Sequence, residues 1–321
     1  MRLKRIKIGK YETENNVFFA PLAGFSDSPM REICLSFGAG LAFTEMVSAK
    51  GILYENENTK DLLTVSPAEK IKCAQLFGNE PCIMRQAAES EYLSDFDVLD
   101  VNFGCPMPKI YNNGEGSALL KEPKLAEKII SECKKSGKAV TCKIRVGLTD
   151  GDFLGKDLAK AAEQGGADLI TVHGRPKERI YAGEVDYDKI AEIKKSVSVP
   201  VIANGGVFSE KDADILSERT GADGVMIARG ALEDPFIFSR ITETPPFLKD
   251  KEELIYRHLD MLKSRYGDEL AAVRFRKQLC LYIKGMKNSV SVKQKLACFS
   301  DCDTIKKAVA HLFHGEKAEK E

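Results

Sequence analysis

Cys105 closes the run Asp100-Val-Asn-Phe-Gly-Cys-Pro106, where Gly104 and Pro106 end the apolar stretch and leave the thiol on a turn at a strand end. An unperturbed thiol has a pKa of about 8.5 and keeps its proton at neutral pH, which suits it to protonate a developing carbanion. The alternative is plain packing, the role that helix- or strand-like surroundings assign to Cys34, Cys73, Cys82, Cys133 and Cys142. Lys143 is the second informative residue. It lies between Cys142 and Ile144, and an ammonium in such a run costs desolvation unless it meets an acceptor or a negative charge. A carboxylate such as Glu45 or an electron-rich bound ring would each satisfy it.

Asn204-Gly205-Gly206 and Ala228-Arg229-Gly230 offer close backbone approach, free N–H groups and a fixed positive charge, a combination suited to a phosphate. The same glycines could serve only tight turns. With a phosphate at that end, Gln75, Lys143 and His173 are expected to ring an attached planar group. A reduced flavin, negative at its N1–O2 edge, is a group that a lysine would stabilise. No stretch carries the Gly-x-Gly-x-x-Gly of a dinucleotide turn or the spacing of a P-loop, so a nicotinamide would visit rather than reside.

Short β-branched runs must hold these residues, and eight recur in the first 240 residues, each followed by a helical pattern. They are Asn16 to Ala20, Leu41 to Met46, Ile71 to Phe77, Val98 to Phe103, Ala139 to Val146, Asp168 to His173, Val199 to Asn204 and Gly224 to Ala228. Near-continuous apolar character implies strands buried on both faces, and eight units of this length predict a closed (β/α)8 TIM barrel with its site at the strands' C-terminal ends. The alternation stops at Thr242-Glu-Thr-Pro-Pro246. Residues 1–242 are therefore read as the barrel and 247–321 as a small all-helical domain, with helices from about 251 to 266, 269 to 284 and 303 to 313 and a charged tail, 315–321, expected to fray.

Lys plus Arg and Asp plus Glu number 48 each, so no global field draws the chain to nucleic acid or an acidic membrane surface. Locally the balance breaks. From Leu270 to Ser300 stand Arg274, Arg276, Lys277, Lys284, Lys287, Lys293 and Lys295 without one Asp or Glu, a segregation that suits phosphate binding and is also compatible with a merely solvated face. Nine cysteines, an odd number in a chain of this length, read as reduced thiols of a cytoplasmic protein. No apolar run reaches membrane-spanning length. Cys280, Cys298 and Cys302 match no strong metal-ligand spacing, and no metal is expected.

Pro21-Leu-Ala-Gly24, Thr44-Glu-Met46, Asp100-Val-Asn-Phe-Gly-Cys-Pro106, Gly116-Ser-Ala-Leu-Leu120, Lys143-Ile-Arg145, Thr171-Val-His-Gly-Arg175 and Val201-Ile-Ala-Asn-Gly205 together resemble the tRNA-dihydrouridine synthase family, collinearly and over nearly the whole barrel. The resemblance implies an FMN enzyme, reduced by NADPH, that passes hydride to C6 of a uracil in RNA, most often tRNA, while a cysteine protonates C5. Carried over by position, Pro21, Leu22, Ala23, Gln75, Lys143, His173, Asn204, Gly205, Gly206, Ala228 and Arg229 would hold the flavin and its phosphate. Cys105 matches the proton donor, and Asn102, Arg145 and Arg175 fall where the substrate would be met. Leu22, Gly206 and Ala228 stand where the family often has Met, Asp and Gly. The helical part resembles the family's RNA-binding domain more loosely, through Arg274, Arg276, Lys277 and Lys284. A monomer is expected. Two other readings share much of the site: a flavin barrel acting on a free pyrimidine, like dihydroorotate dehydrogenase, and a non-catalytic RNA-binding relative.

Overall fold

The computed structural model describes residues 1–54 and 57–315, with the side chains of residues 57 and 58 also outside the description. Most of the tail expected to fray, residues 316–321, lies beyond it. Eight parallel strands close a barrel: β1 Val17–Phe19, β2 Leu41–Ser48, β3 Cys73–Phe77, β4 Val98–Phe103, β5 Ala139–Arg145, β6 Leu169–His173, β7 Val201–Asn204 and β8 Gly224–Ile227. Each matches one expected run to within two residues at either end. Closure is direct, with Val225, Met226 and Ile227 of β8 paired to Val17, Phe18 and Phe19 of β1.

Local chemistry sets the helices between strands. The Asp27 carboxylate accepts the Met30 N–H at the start of Ser28–Ser36, and Ser209 does the same for Asp212 at the start of Glu210–Thr220. Pro81 and Pro123 open Pro81–Ala88 and Pro123–Lys134, where a missing N–H is harmless. Gly221 ends Glu210–Thr220 in the left-handed region that a side chain would disfavour.

Several short elements escape periodicity, among them a hairpin and a helix. A hairpin of two-residue strands, Lys7–Ile8 and Tyr11–Glu12, precedes the barrel, and its Ile8 joins Phe18, Phe43, Val98, Leu169 and Ile202 in the apolar cluster inside the barrel. A short helix, Ser289–Lys295, sits between the expected C-terminal ones, Lys251–Tyr266, Asp268–Tyr282 and Cys302–His314. Neither is long enough to show a period in sequence.

The C-terminal helices share a continuous apolar core with the outer face of the barrel, in which Tyr282, Phe275 and Leu279 are fully buried alongside Met30 and Phe238. Asp61, between β2 and β3, ties the same helices down. It accepts hydrogen bonds from Arg265 (2.6 Å), Tyr266 (3.0 Å) and Arg274 (3.1 Å). Burial raises the Asp61 pKa, but these donors outweigh it and hold the carboxyl below its usual range.

A buried ion pair fixes the loops beneath the barrel mouth. Arg31 grips Glu69 through Nε (3.1 Å) and Nη2 (2.9 Å), while its other hydrogens go to the carbonyls of Ser26 (2.7 Å) and Thr64 (2.5 Å). Both side chains are almost wholly buried, so losing one partner strands a charge. Glu69→Ala is expected to cost about 3–5 kcal/mol in urea denaturation, whereas Arg31→Met combined with Glu69→Met should recover most of that loss.

Candidate active site

Alternate residues of a strand face the same side, so the inward positions can be read two by two. β5 turns Thr141, Lys143 and Arg145 inward, β4 turns Asp100 and Asn102, β6 turns Thr171 and His173, and β3 turns Gln75. Asp100 lies in register with Gln75 on one side and Thr141 on the other. A polar layer therefore rests on the apolar plug, and the next residues up line a cavity of about 430 Å3 at the strands' C-terminal ends. That volume is in the range of sites for small-molecule ligands.

Cys105 is on the wall of this cavity, 7% exposed. Its turn is held from two directions. Asn102 Oδ1 accepts the N–H groups of Gly104 (3.1 Å) and Cys105 (2.9 Å), and the Cys105 carbonyl accepts from the Ser117 hydroxyl (2.7 Å) and N–H (3.1 Å). Burial raises the thiol pKa, against the opposing pull of the Met107 N–H, Arg145 and Lys143, so Cys105 keeps its proton at neutral pH.

Lys143 lines the cavity, and its ammonium donates no hydrogen bond among the described residues. Burial, with Arg145 beside it, lowers its pKa to about 7, and the facing charge is Asp100. Glu45, the carboxylate that the sequence offered as a partner, instead accepts the Gly24 N–H. His173 is held neutral, its pKa driven far down by burial and by the surrounding cations. Asn204 donates to the Met226 carbonyl (2.8 Å) and so fixes β7 against β8 at the cavity's edge.

Gly205 and Gly206 adopt φ of 129° and 72°, a region that side chains avoid. A Cβ on Gly205 would come within 3.0 Å of His173 Cδ2 and 3.3 Å of Arg175 Nη1. Arg175 therefore stands over the glycine turn. Its Nε donates to the Gly183 carbonyl (3.0 Å), and Arg229 lies 4.7 Å from the Tyr181 ring and 5.7 Å from that of Phe208. Neither guanidinium forms an ion pair among the described residues. Two unneutralised cations beside bare backbone make an anion cradle, and an unpartnered lysine across the cavity offers a second positive point. Pro21, Leu22, Ala23, Gln75 and Ala228 supply further wall. The donor set fits a flavin mononucleotide.

Arg145, expected to reach for substrate, has much of its guanidinium committed to backbone. Its Nε donates to the Gly104 carbonyl (2.7 Å), and its Nη1 meets the carbonyls of Arg175 (3.3 Å), Pro176 (3.1 Å) and Ile180 (3.0 Å). It staples the cysteine turn to the segment after β6. That segment holds Ile180 at φ 50°, a strained value for a β-branched residue that the Arg145 contact helps to maintain.

The helical part contributes unevenly. Of the residues expected to meet RNA, Arg274 is paired with Asp61, Arg276 donates to the Phe299 carbonyl (2.7 Å) and Lys284 pairs with Glu233 (2.7 Å). Lys277 alone of the four reaches the mouth, 4.7 Å from the ring of Phe25, a cavity residue. Sequence reasoning also passed over Asp100, Thr141, Tyr181 and Phe208. Asp100 could have been found from its strand parity with Asn102; nothing local marks Tyr181 or Phe208.

Known proteins resemble this chain over most of its length. A relative named tRNA-dihydrouridine synthase B from Pasteurella multocida (strain Pm70) is 34% identical over 306 residues, covering 92% of this chain and 92% of its own. A probable tRNA-dihydrouridine synthase from Rickettsia conorii is 32% identical, covering 96% of each chain. Among solved structures, histamine dehydrogenase from Rhizobium sp. 4-9 aligns over 86% of this chain with a TM-score of 0.59 at 17% identity, and a 2-naphthoyl-CoA reductase over 78% with 0.60 at 12%. The chain spans about half the length of each of those two (50% and 52%), and the likeness is one of fold. The family model described as dihydrouridine synthase (Dus) matches residues 18–316, and the chain belongs to that family.

Proposed function

We propose that the protein is an FMN-dependent, NADPH-driven reductase that converts uridine to 5,6-dihydrouridine in RNA, with tRNA as the favoured substrate. The observation that carries this reading is a protonated thiol, Cys105, facing a cavity whose other walls are an unpartnered Lys143 and the anion cradle of Gly205, Gly206, Arg175 and Arg229. Bound FMN, reduced by NADPH, would supply the hydride that adds to C6 of the uracil. Cys105 Sγ–H delivers the proton to C5 and is reprotonated from solvent. Lys143 stabilises negative charge at the cavity floor, and neutral His173 offers a hydrogen bond without adding charge. Asn102 and Arg145 border the place of the base, which must leave its stack to enter.

We assign residues 1–242 to catalysis and 247–321 to RNA binding. After the internal ion pairs are removed, Lys277, Lys287, Lys293 and Lys295 remain without a salt bridge among the described residues, and Lys277 stands at the mouth. This favours a polyanionic substrate over the free pyrimidine that the barrel alone would also admit. We take the enzyme to act as a monomer in the cytoplasm; no helix among the described residues is long and apolar enough to cross a membrane.

Three outcomes test the reading. Cys105→Ala should leave FMN binding and reduction by NADPH intact while slowing reoxidation of the reduced enzyme by RNA about 100-fold or more in stopped flow. A wild-type rate would assign the proton to another group. Arg229→Ala should weaken FMN retention roughly 10- to 100-fold, as befits a lost charge-assisted contact of about 1.5–3 kcal/mol, measured by flavin fluorescence on titration of the apoprotein. Neutralising Lys277, Lys287, Lys293 and Lys295 together should reduce the slope of log K for RNA against log salt by roughly 3, at about 0.7–0.9 per phosphate contact, and an unchanged slope would place the RNA elsewhere.

A further inference from the structure

One buried charge lies beneath the cavity floor. Asp100 is 1% exposed and points inward from β4, one pleat below Asn102. An ionised carboxylate can only accept, so Gln75 turns its NH2 toward it (Nε2 to Oδ2, 2.6 Å) and presents Oε1 to the Asn102 NH2 (2.8 Å). Asn102 is then left with its carbonyl oxygen for the N–H groups of Gly104 and Cys105. Thr141 donates to the other carboxylate oxygen (2.6 Å). The polarity of each link dictates the next.

We propose that Asp100 is a positioning residue that, through Gln75 and Asn102, orients the turn carrying the Cys105 thiol. Its catalytic consequence rests on the reading of Cys105 as the proton donor. Without an acceptor at position 100, the Gln75 amide loses the bond that sets its orientation, and with it goes the fixed acceptor that holds the Asn102 amide. The two bonds from Asn102 that hold the turn are then no longer imposed.

The surroundings leave this charge finely balanced. Burial pushes Asp100 up to about 6, and Gln75, Thr141 and Lys143 oppose the rise. Burial and Arg145 push Lys143 down to about 7, and Asp100 is the carboxylate that opposes the fall. The other ionisable neighbours offer no substitute. His173 is neutral, and the thiols of Cys73 and Cys142 stay protonated in their burial.

The deciding measurement is the pH profile of Cys105 alkylation by iodoacetamide in the flavin-loaded protein, followed at its own peptide so that exposed Cys82 and Cys298 do not intrude. The Met107 N–H favours the thiolate, so loosening the turn must raise the thiol pKa. Asp100→Leu, which offers Gln75 no acceptor, is expected to move the profile up by about one unit and slow alkylation at pH 8 about tenfold. Combined with Asn102→Ala, the loss should be smaller than the product of the two single losses, because they act along one chain. A wild-type profile in flavin-loaded Asp100→Leu overturns the proposal. If that variant fails to retain flavin, flavin-free wild type and variant are compared in the same way, and an unmoved profile again overturns it. Neither readout requires turnover. Wild-type RNA-driven reoxidation in Cys105→Ala would remove Cys105 as the donor and leave the comparison of profiles intact.

Discussion

An ionised carboxylate can sit near the axis of a closed barrel only if each of its oxygens finds a donor, because no water shell follows it there. Asp100 meets that condition through Gln75 and Thr141, its register neighbours on the two flanking strands. Parallel register is what makes the solution possible, since it places an inward residue of β3 and one of β5 level with an inward residue of β4. Once the carboxylate is there, the groups above it are constrained. Gln75 has one amide orientation, Asn102 has one, and the ammonium of Lys143 acquires a counter-charge. The apolar plug of Phe18, Phe43, Val98, Leu169 and Ile202 keeps the layer dry from the other side, which strengthens each of these interactions.

Arginines do structural work around that centre that their charge alone does not reveal. Arg31 and Arg145 are both turned toward backbone carbonyls, one beneath the loops at the mouth and one between the cysteine turn and the segment after β6. A guanidinium suits this because its five N–H groups diverge in a fixed plane and can join several carbonyls of separate loops. Arg175 and Arg229 differ in having no acidic partner. Burial of Arg175, and after it the repulsion of Arg229, lower the Arg175 pKa, and an anion between them would relieve the second of these.

The barrel was legible because its strands are buried on both faces and so appear in sequence as unbroken apolar runs, and because Gly and Pro punctuate the helices. Cys105, Lys143 and the Gly205–Gly206 turn were legible for a related reason: each violates the pattern around it, a thiol on a turn, an ammonium in a strand, two glycines at a strand end. What could not be read locally is any role completed by a distant residue. The carboxylate whose charge is felt at Lys143, Asp100, came near only when β4 was set beside β5. Arg274, Arg276 and Lys284 formed a basic cluster in sequence, yet their partners are Asp61, Phe299 and Glu233, and two of those three belong to the barrel. A segment free of acids still finds acids across a tertiary contact.

That redistribution of charge bears on how a uridine would be brought to the thiol. Were all seven basic residues free, the helical part would attract RNA over a broad face and say little about where its bases go. With three of them committed to partners within the chain, the remaining charge includes a lysine beside Phe25 at the rim of the cavity, carried on a helix whose other face is buried against the barrel. Electrostatic contacts position a backbone without reading its sequence. A rigid joint between the unit bearing those contacts and the barrel would therefore set which nucleotide lies over the mouth by distance from the gripped phosphates. The continuous core around Tyr282 and the clasp on Asp61 join the helices to the barrel, so a phosphate held by the helices would lie at a set distance from the mouth.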